Sequence, residues 1–352
     1  MLLVHLGYGE FMQLKIIRTV EEFDRMAEEW NRLLGYSASH VPFLRHEYLS
    51  TWWRTLGGGE WTNGELYIVT ARRPDGELCG IAPLFLTENN DREQALMLLG
   101  SIEISDYLDV IACSEDLSAF VDLVLEHLSG AEAPAWQVLD WYNLLESSPS
   151  LAALQAAATR RGWRFSQERL QHCPYIPLPG DWESYLAGID KKQRHEIRRK
   201  MRRAESTDVS VRWYIVQEGA DLEGEVEAFM DLMAQDSEKQ AFLTEVMRSQ
   251  LRQAVTVAHR SGWLQLAFLE VDGAKAAGYL NFDYANNIWV YNSGINFDYG
   301  AYSPGWVLLG YLLQWANENG RERFDFMRGN EEYKYRFGGI DRFIVRAKVT
   351  RK

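Results

Sequence analysis

The chain has 352 residues, 47% hydrophobic, 13% aromatic and 25% charged, which excludes disordered and fibrous classes and gives a length suited to about two domains. The formal charge of −13 is uneven: 13 Lys and Arg face 25 Asp and Glu up to residue 180, and 24 face 25 after it, so the halves carry −12 and −1, an acidic first half that disfavours broad nucleic-acid binding. No run nears the roughly 18 apolar residues of a membrane span, the first residues lack a basic segment and a cleavage site, and three scattered cysteines (Cys79, Cys113, Cys173) make no disulfide framework, so a reducing, cytoplasmic setting is expected.

Residues 1–11 are expected to be a flexible lead-in, because Met12 opens a better strand (QLKII) than Met1 does. Helical spacing follows over 19–34, where Phe23, Met26, Ala27, Trp30 and Leu33 recur at three and four with acidic residues early. A helix over 47–56 is predicted to end at Gly57-Gly58-Gly59, and LYIVTARR, the turn Pro74-Asp75-Gly76 and ELCGIAPLFL read as a hairpin. Strands at 95–99 and 107–112, a helix at 117–128, a strand at 136–141 and a helix at 150–161 complete a mixed α/β layer.

The second half repeats that order. Helices at 182–204 and 223–261 precede LQLAFLEV, the turn Asp272-Gly273, AKAAGYLNFDY, the turn Asn286-Asn287 and IWVYNSGI; then come an apolar helix at 304–319 closed by Gly320, the strand RFDFM and a last strand at 343–349. Aligning the Asp-Gly turns places Gly80 and Gly278 four and five residues downstream, inside the return strands. An α/β unit duplicated about 200 residues apart is inferred. Pro174 to Gly180, with three prolines in six residues, is the natural linker, giving domains at 12–178 and 179–352.

Three segments carry candidate chemistry. Ser303-Pro304-Gly305 opens the apolar helix with serine at N-cap and proline at N1, and such a start offers unpaired N–H groups to a phosphate, though an ordinary capped core helix has the same signature. Residues 190–205, DKKQRHEIRRKMRRAE, set eight basic residues against three acidic ones. Ile197, Met201 and Ala204 share one face of that helix, so Arg194, Arg198 and Arg202 face either water or an anionic partner such as a nucleotide-sugar, coenzyme or tRNA phosphate; the like-charge pairs Arg194/Arg198 and Arg198/Arg202 cost helix stability. The third is the run FDFMRGNEEYKYRFGG from Phe324.

Ser-Pro-Gly before an apolar helix, then Asp325-Phe326, Arg328-Gly329, Tyr333-Lys334 and Phe337-Gly338, resembles the GNAT-fold acyltransferases grouped with cellulose and exopolysaccharide biosynthesis, a group similar to the Fem aminoacyl transferases. Pro42-Phe43, the Trp52/Trp53 helix, Gly80 to Leu84, Asp106-Tyr107-Leu108-Asp109 and the basic helix extend the resemblance over most of the chain. It implies an α/β fold of tandem GNAT-like domains with a cleft between them, and a donor, acyl-CoA, held by the C-terminal domain through Ser303, Gly305, Trp306, Arg328, Gly329 and Lys334. It also implies an amine or hydroxyl acceptor on a sugar or small metabolite. One departure stands out: the segment Phe297-Asp-Tyr-Gly-Ala-Tyr-Ser-Pro-Gly305 lacks the glycine-rich loop typical of the fold.

Acyl transfer needs a proton acceptor, a polarised carbonyl and a protonated leaving group. Asp325 is the candidate base, with a turn-capping carboxylate as its structural alternative. Tyr333 or Tyr302 is the candidate acid, Lys334 a phosphate or carboxylate ligand, and Arg194, Arg198, Asp106, Tyr107 and Asp109 the candidate acceptor side. Seven scattered histidines imply no metal, no Gly-x-Ser-x-Gly elbow occurs, Gly57-Gly58-Gly59-Glu60 is not a phosphate loop, and Cys173 reads as a structural thiol. An aminoacyl-tRNA-dependent transferase and a GNAT module that binds without turnover are the rival readings.

Overall fold

The computed structural model of the chain describes residues 3–6, 10–206 and 208–351. Two compact units divide it: Met1–Gln171 together with Phe343–Lys352, and His172–Arg342.

The first unit contains β1 (Leu3–Leu6), β2 (Glu10–Ile17), α1 (Val20–Asp24), α2 (Ala27–Leu34), α3 (His46–Gly59), β3 (Glu65–Leu66), β4 (Ile68–Arg72), β5 (Leu78–Ala82), β6 (Leu84–Glu88), β7 (Gln94–Leu98), β8 (Ile111–Ala112), α4 (Ser114–Ser129), β9 (Val138–Leu145), α5 (Pro149–Arg160) and β10 (Arg164–His172). The expected lead-in falls partly outside the described residues; of the rest, β1 pairs antiparallel with β2, which begins two residues before Met12. The single helix expected at 19–34 is two, because the chain tightens at Met26, whose N–H donates to Phe23 O at 3.0 Å. The glycine triplet does end α3, since Leu56, Gly57 and Gly58 all take left-handed backbone.

The second unit contains β11 (Tyr175–Pro177), α6 (Trp182–Gly188), α7 (Lys191–Glu205), β12 (Val211–Ile215), α8 (Leu222–Met233), α9 (Ser237–Phe242), α10 (Glu245–Arg260), β13 (Leu264–Val271), β14 (Ala274–Tyr284), β15 (Asn287–Ile295), α11 (Pro304–Glu318), β16 (Arg323–Asp325) and α12 (Glu332–Arg336). The two long helices expected here are broken at N-caps. Asp181 and Asp190 cap α6 and α7, and Asp236 and Thr244 cap α9 and α10, each side-chain oxygen accepting a first-turn N–H. The proline-rich segment read as a linker forms β11, paired antiparallel with β16.

The second unit's sheet runs β11-β16-β15-β14-β13-β12. Strand periodicity sorts its side chains between two cores: Ala267, Leu269 and Val271 of β13 face α7 and α11, while Leu266 and Phe268 face α8 and α10. Close approach on both faces needs glycine. A Cβ on Gly294 of β15 would stand 2.6 Å from the backbone of Leu232 and Met233, and one on Gly310 of α11 would stand 2.9 Å from Met201 Sδ of α7.

The chain then returns to the first unit as β17 (Phe343–Thr350), a strand the sequence division leaves with the second domain. The first unit's sheets are β1-β2-β4-β5-β8 and β10-β17-β9-β7-β6-β3, so β17 is interior to the second of these. Arg346 of β17 fixes it there, forking onto Asp140 of β9 with both N···O distances at 2.7 Å, the carboxylate fully buried. The two Asp-Gly turns head equivalent hairpins, β4–β5 and β13–β14. The fold is therefore a tandem of mixed α/β layers.

Candidate active site

In the second unit, β15 and β16 run parallel only over Asn287↔Arg323, Ile288↔Phe324 and Trp289↔Asp325. β16 stops at Asp325, and the chain turns away through Met327, which has a φ of 57°. From Val290 onward β15 therefore has no strand on that side among the described residues. Its edge is reshaped by a bulge at Tyr291, because Leu280 pairs with Asn292 but Asn281 with Val290.

Side chains converge on this opening. Ser293 lies opposite Tyr279 of β14. Its N–H donates to Asn292 Oδ1 at 2.9 Å, and its carbonyl accepts Lys239 Nζ from α9 at 2.6 Å. The hydroxyls of Tyr279 and Tyr333 hydrogen-bond each other, and burial, first of all, pushes both phenols well above their ordinary range. Lys334, 3% exposed, donates to Arg328 O at 2.6 Å and Gly329 O at 3.2 Å and pairs with Glu331 at 2.9 Å. Lys239 lies in the field of Glu331, and burial lowers its basicity. Two ammonium groups, one carboxylate and two neutral phenols thus surround the place where β15 and β16 part.

Of the residues predicted from sequence, Tyr333, Lys334, Gly329 and Arg328 belong to this cluster. Asp325, the candidate base, is engaged elsewhere. Its side chain is fully buried, Oδ1 accepts Met327 N at 3.0 Å and Oδ2 accepts the Arg342 guanidinium, which matches the turn-capping alternative. Ser303 stands at the start of α11 but in left-handed backbone with no side-chain cap bond. Gly305 is buried, and a Cβ there would press on Ile295 Cδ1 at 2.5 Å. Trp306 packs against Phe337 with the rings tilted and their centres 4.6 Å apart, and Lys200 of α7 lies 4.3 Å from its ring centre. Tyr302 packs against the core shared by α7 and α11.

The expected acceptor-side residues are occupied as well. Arg194 reaches Leu186 O and Ala187 O at 3.3 Å, closing the end of α6, and Arg198 pairs with Glu183. Ile197, Met201 and Ala204 are buried as their spacing predicts. Lys191, Lys192, Arg202 and Arg203 are exposed, with no carboxylate within 4 Å among the described residues. Asp106, Tyr107 and Asp109 lie inside the first unit rather than on a strand edge. Asp109 accepts Ser39 and Ser148 hydroxyls, each at 2.5 Å, and Val110 N at 2.8 Å; desolvation raises its pKa. Cys173 is fully buried, as the structural-thiol reading has it.

Glu331, Lys239 and Tyr279 were not singled out by sequence. Lys239 sits in the short helix hidden inside the expected 223–261 helix, and Tyr279 reads as core. Glu331 had a signal, since it lies inside the motif run beside Tyr333.

Residues 191–335 match the family model described as an acetyltransferase (GNAT) domain, and the enzyme is an acyltransferase of that fold. Over nearly its whole length the chain is similar to the crystal structure of FemX, with 12% identity, 95% of this chain and 96% of that chain covered and a TM-score of 0.62. It is also similar to the C-terminal domain of a putative lysylphosphatidylglycerol synthetase from Agrobacterium fabrum (13% identity, 95% and 93% covered, TM-score 0.53) and to L-PGS from Bacillus licheniformis (14%, 92% and 91%, TM-score 0.52). None of the curated proteins matches the sequence. At these identities the likeness to solved structures is one of fold. Among the described residues no helix is long and apolar enough to cross a membrane.

Proposed function

We propose that the protein transfers an acyl group from acyl-CoA to an amine or hydroxyl of a sugar or small metabolite, an acceptor class suited to polysaccharide assembly, with the chemistry at the parting of β15 and β16. The observation that carries this reading is the cluster itself. Beside the strand edge that β16 leaves uncovered stand a carboxylate, two ammonium groups and two phenols that stay protonated at neutral pH. Protonated phenols and ammonium groups are donors for a carbonyl oxygen acquiring charge.

A second reading, transfer from an aminoacyl-tRNA, is favoured by the exposed cations Lys191, Lys192, Arg202 and Arg203 and by the absence of a glycine-rich loop before Ser303. FemX and the lysylphosphatidylglycerol synthetases among the similar structures are in keeping with it. Calorimetric titration with acetyl-CoA, free CoA and a nucleotide-sugar panel, with thermal midpoints followed in parallel, separates the two, because a ligand of the native state raises its stability. Saturable acetyl-CoA binding is expected. RNA binding without CoA binding supports the second reading instead.

A further inference from the structure

We propose that Glu331 is the proton acceptor of the transfer. This rests on the acyltransferase reading above and deepens it. The other ionisable groups around the opening are unsuited to the task. Asp325 has both oxygens engaged and no exposed surface. Tyr279 and Tyr333 keep their protons because the phenolate would be buried. Lys334, an ammonium with three N–H groups, spends them on Arg328 O, Gly329 O and Glu331.

Glu331 is built differently. Its side chain is 57% exposed, and Lys334 holds it through Oε2 at 2.9 Å, an ion pair that leaves Oε1 out. The carboxylate rests against Gly329, where a Cβ would stand 2.4 Å from Oε2, and Gly329 itself has a φ of +107° that side chains resist. Glycine at 329 thus makes the space the carboxylate fills, and a buried lysine fixes its direction. It also lies in the field of both tyrosines and of Lys239, the groups that would polarise the acyl carbonyl.

In the step, the neutral amine of the acceptor attacks the acyl carbon and a C–N bond forms. The C–S bond of the thioester breaks with its electron pair. The N–H proton passes to Glu331 Oε1 and on to water, and the departing thiolate takes a proton from water. The sum is amine plus thioester giving amide plus thiol.

The test measures thiol release from acetyl-CoA by the full chain against a panel of amines and alcohols. Glu331→Gln should lower kcat by about 100-fold or more with KM for acetyl-CoA unchanged once rates are referred to the folded fraction, and Glu331→Asp should recover part of the loss. In Glu331→Ala, added formate should restore rate in proportion to its concentration. A Glu331→Gln enzyme within threefold of wild type overturns the assignment while leaving the acyltransferase reading intact. A wild-type enzyme that binds no acetyl-CoA and releases no thiol overturns both.

Discussion

Asp325 and Glu331 illustrate what one residue's surroundings decide. Both are carboxylates in the same short run, and from sequence Asp325 had the stronger claim because it ends a central strand. Burial reverses the order, because Asp325 neutralises Arg342 and anchors the turn at Met327, while Glu331 stays more than half exposed beside Lys334. Asp325→Ala should therefore act on stability. Removing one partner of a buried ion pair leaves the other charge uncompensated and costs about 3–5 kcal/mol, read as a fall in the denaturant midpoint of the second unit, with residual activity tracking the folded fraction. Loss of kcat in a variant with a wild-type midpoint would restore Asp325 to the chemistry. The sequence showed the run, and it could not show which of its carboxylates the fold would bury.

Elements were legible where their periodicity was undisturbed. The buried face of α7 and the order of strands β13 to β15 follow from spacing and from Asp-Gly and Asn-Asn turns. Breaks were less visible, because Asp236 and Thr244 act as caps only once the chain folds around them, and hydrophobic spacing continues across both. Strand β11 was hidden for another reason: three prolines suggest an extended crossing, and an edge strand tolerates them equally well. Packing between elements leaves a sharper mark on glycine. Gly294→Ala places a methyl against the backbone of α8 rather than a pliable side chain, so helix or strand must shift. A loss of about 2 kcal/mol or more is expected, measured by denaturant unfolding. Because Gly294 adjoins Ser293, acetyl-CoA affinity should fall with it; an unchanged midpoint would mean that α8 and β15 yield without cost.

At the scale of the whole molecule, the first unit should lose stability in acid. In the first unit His46 and His127 are each 5% exposed, with Nε2 2.9 Å from Phe23 O and 2.6 Å from the Tyr67 hydroxyl. Burial, the largest cause, lowers the pKa of both below the ordinary 6.5. The unfolded chain then binds protons that the folded unit refuses, so stability is full above about 6.5 and is lost as pH falls through the folded values. Unfolding of the first unit at pH 7 and pH 5 should show this drop, and His127→Gln should flatten part of it; equal stabilities at the two pH values would show that the imidazoles stay protonatable when folded.

The return of β17 to the first unit has a consequence for how the protein is made. Residues 172–342 form a complete insert whose ends meet where Cys173 N donates to Arg342 O at 2.7 Å. During synthesis the insert can close on itself while the sheet it interrupts still lacks an interior strand. For that interval β10 and one edge of β9 stand unpaired, with Asp140 awaiting Arg346. The half of the chain that leaves the ribosome first is therefore the half that finishes folding last, and its exposed edges are what a chaperone would have to cover.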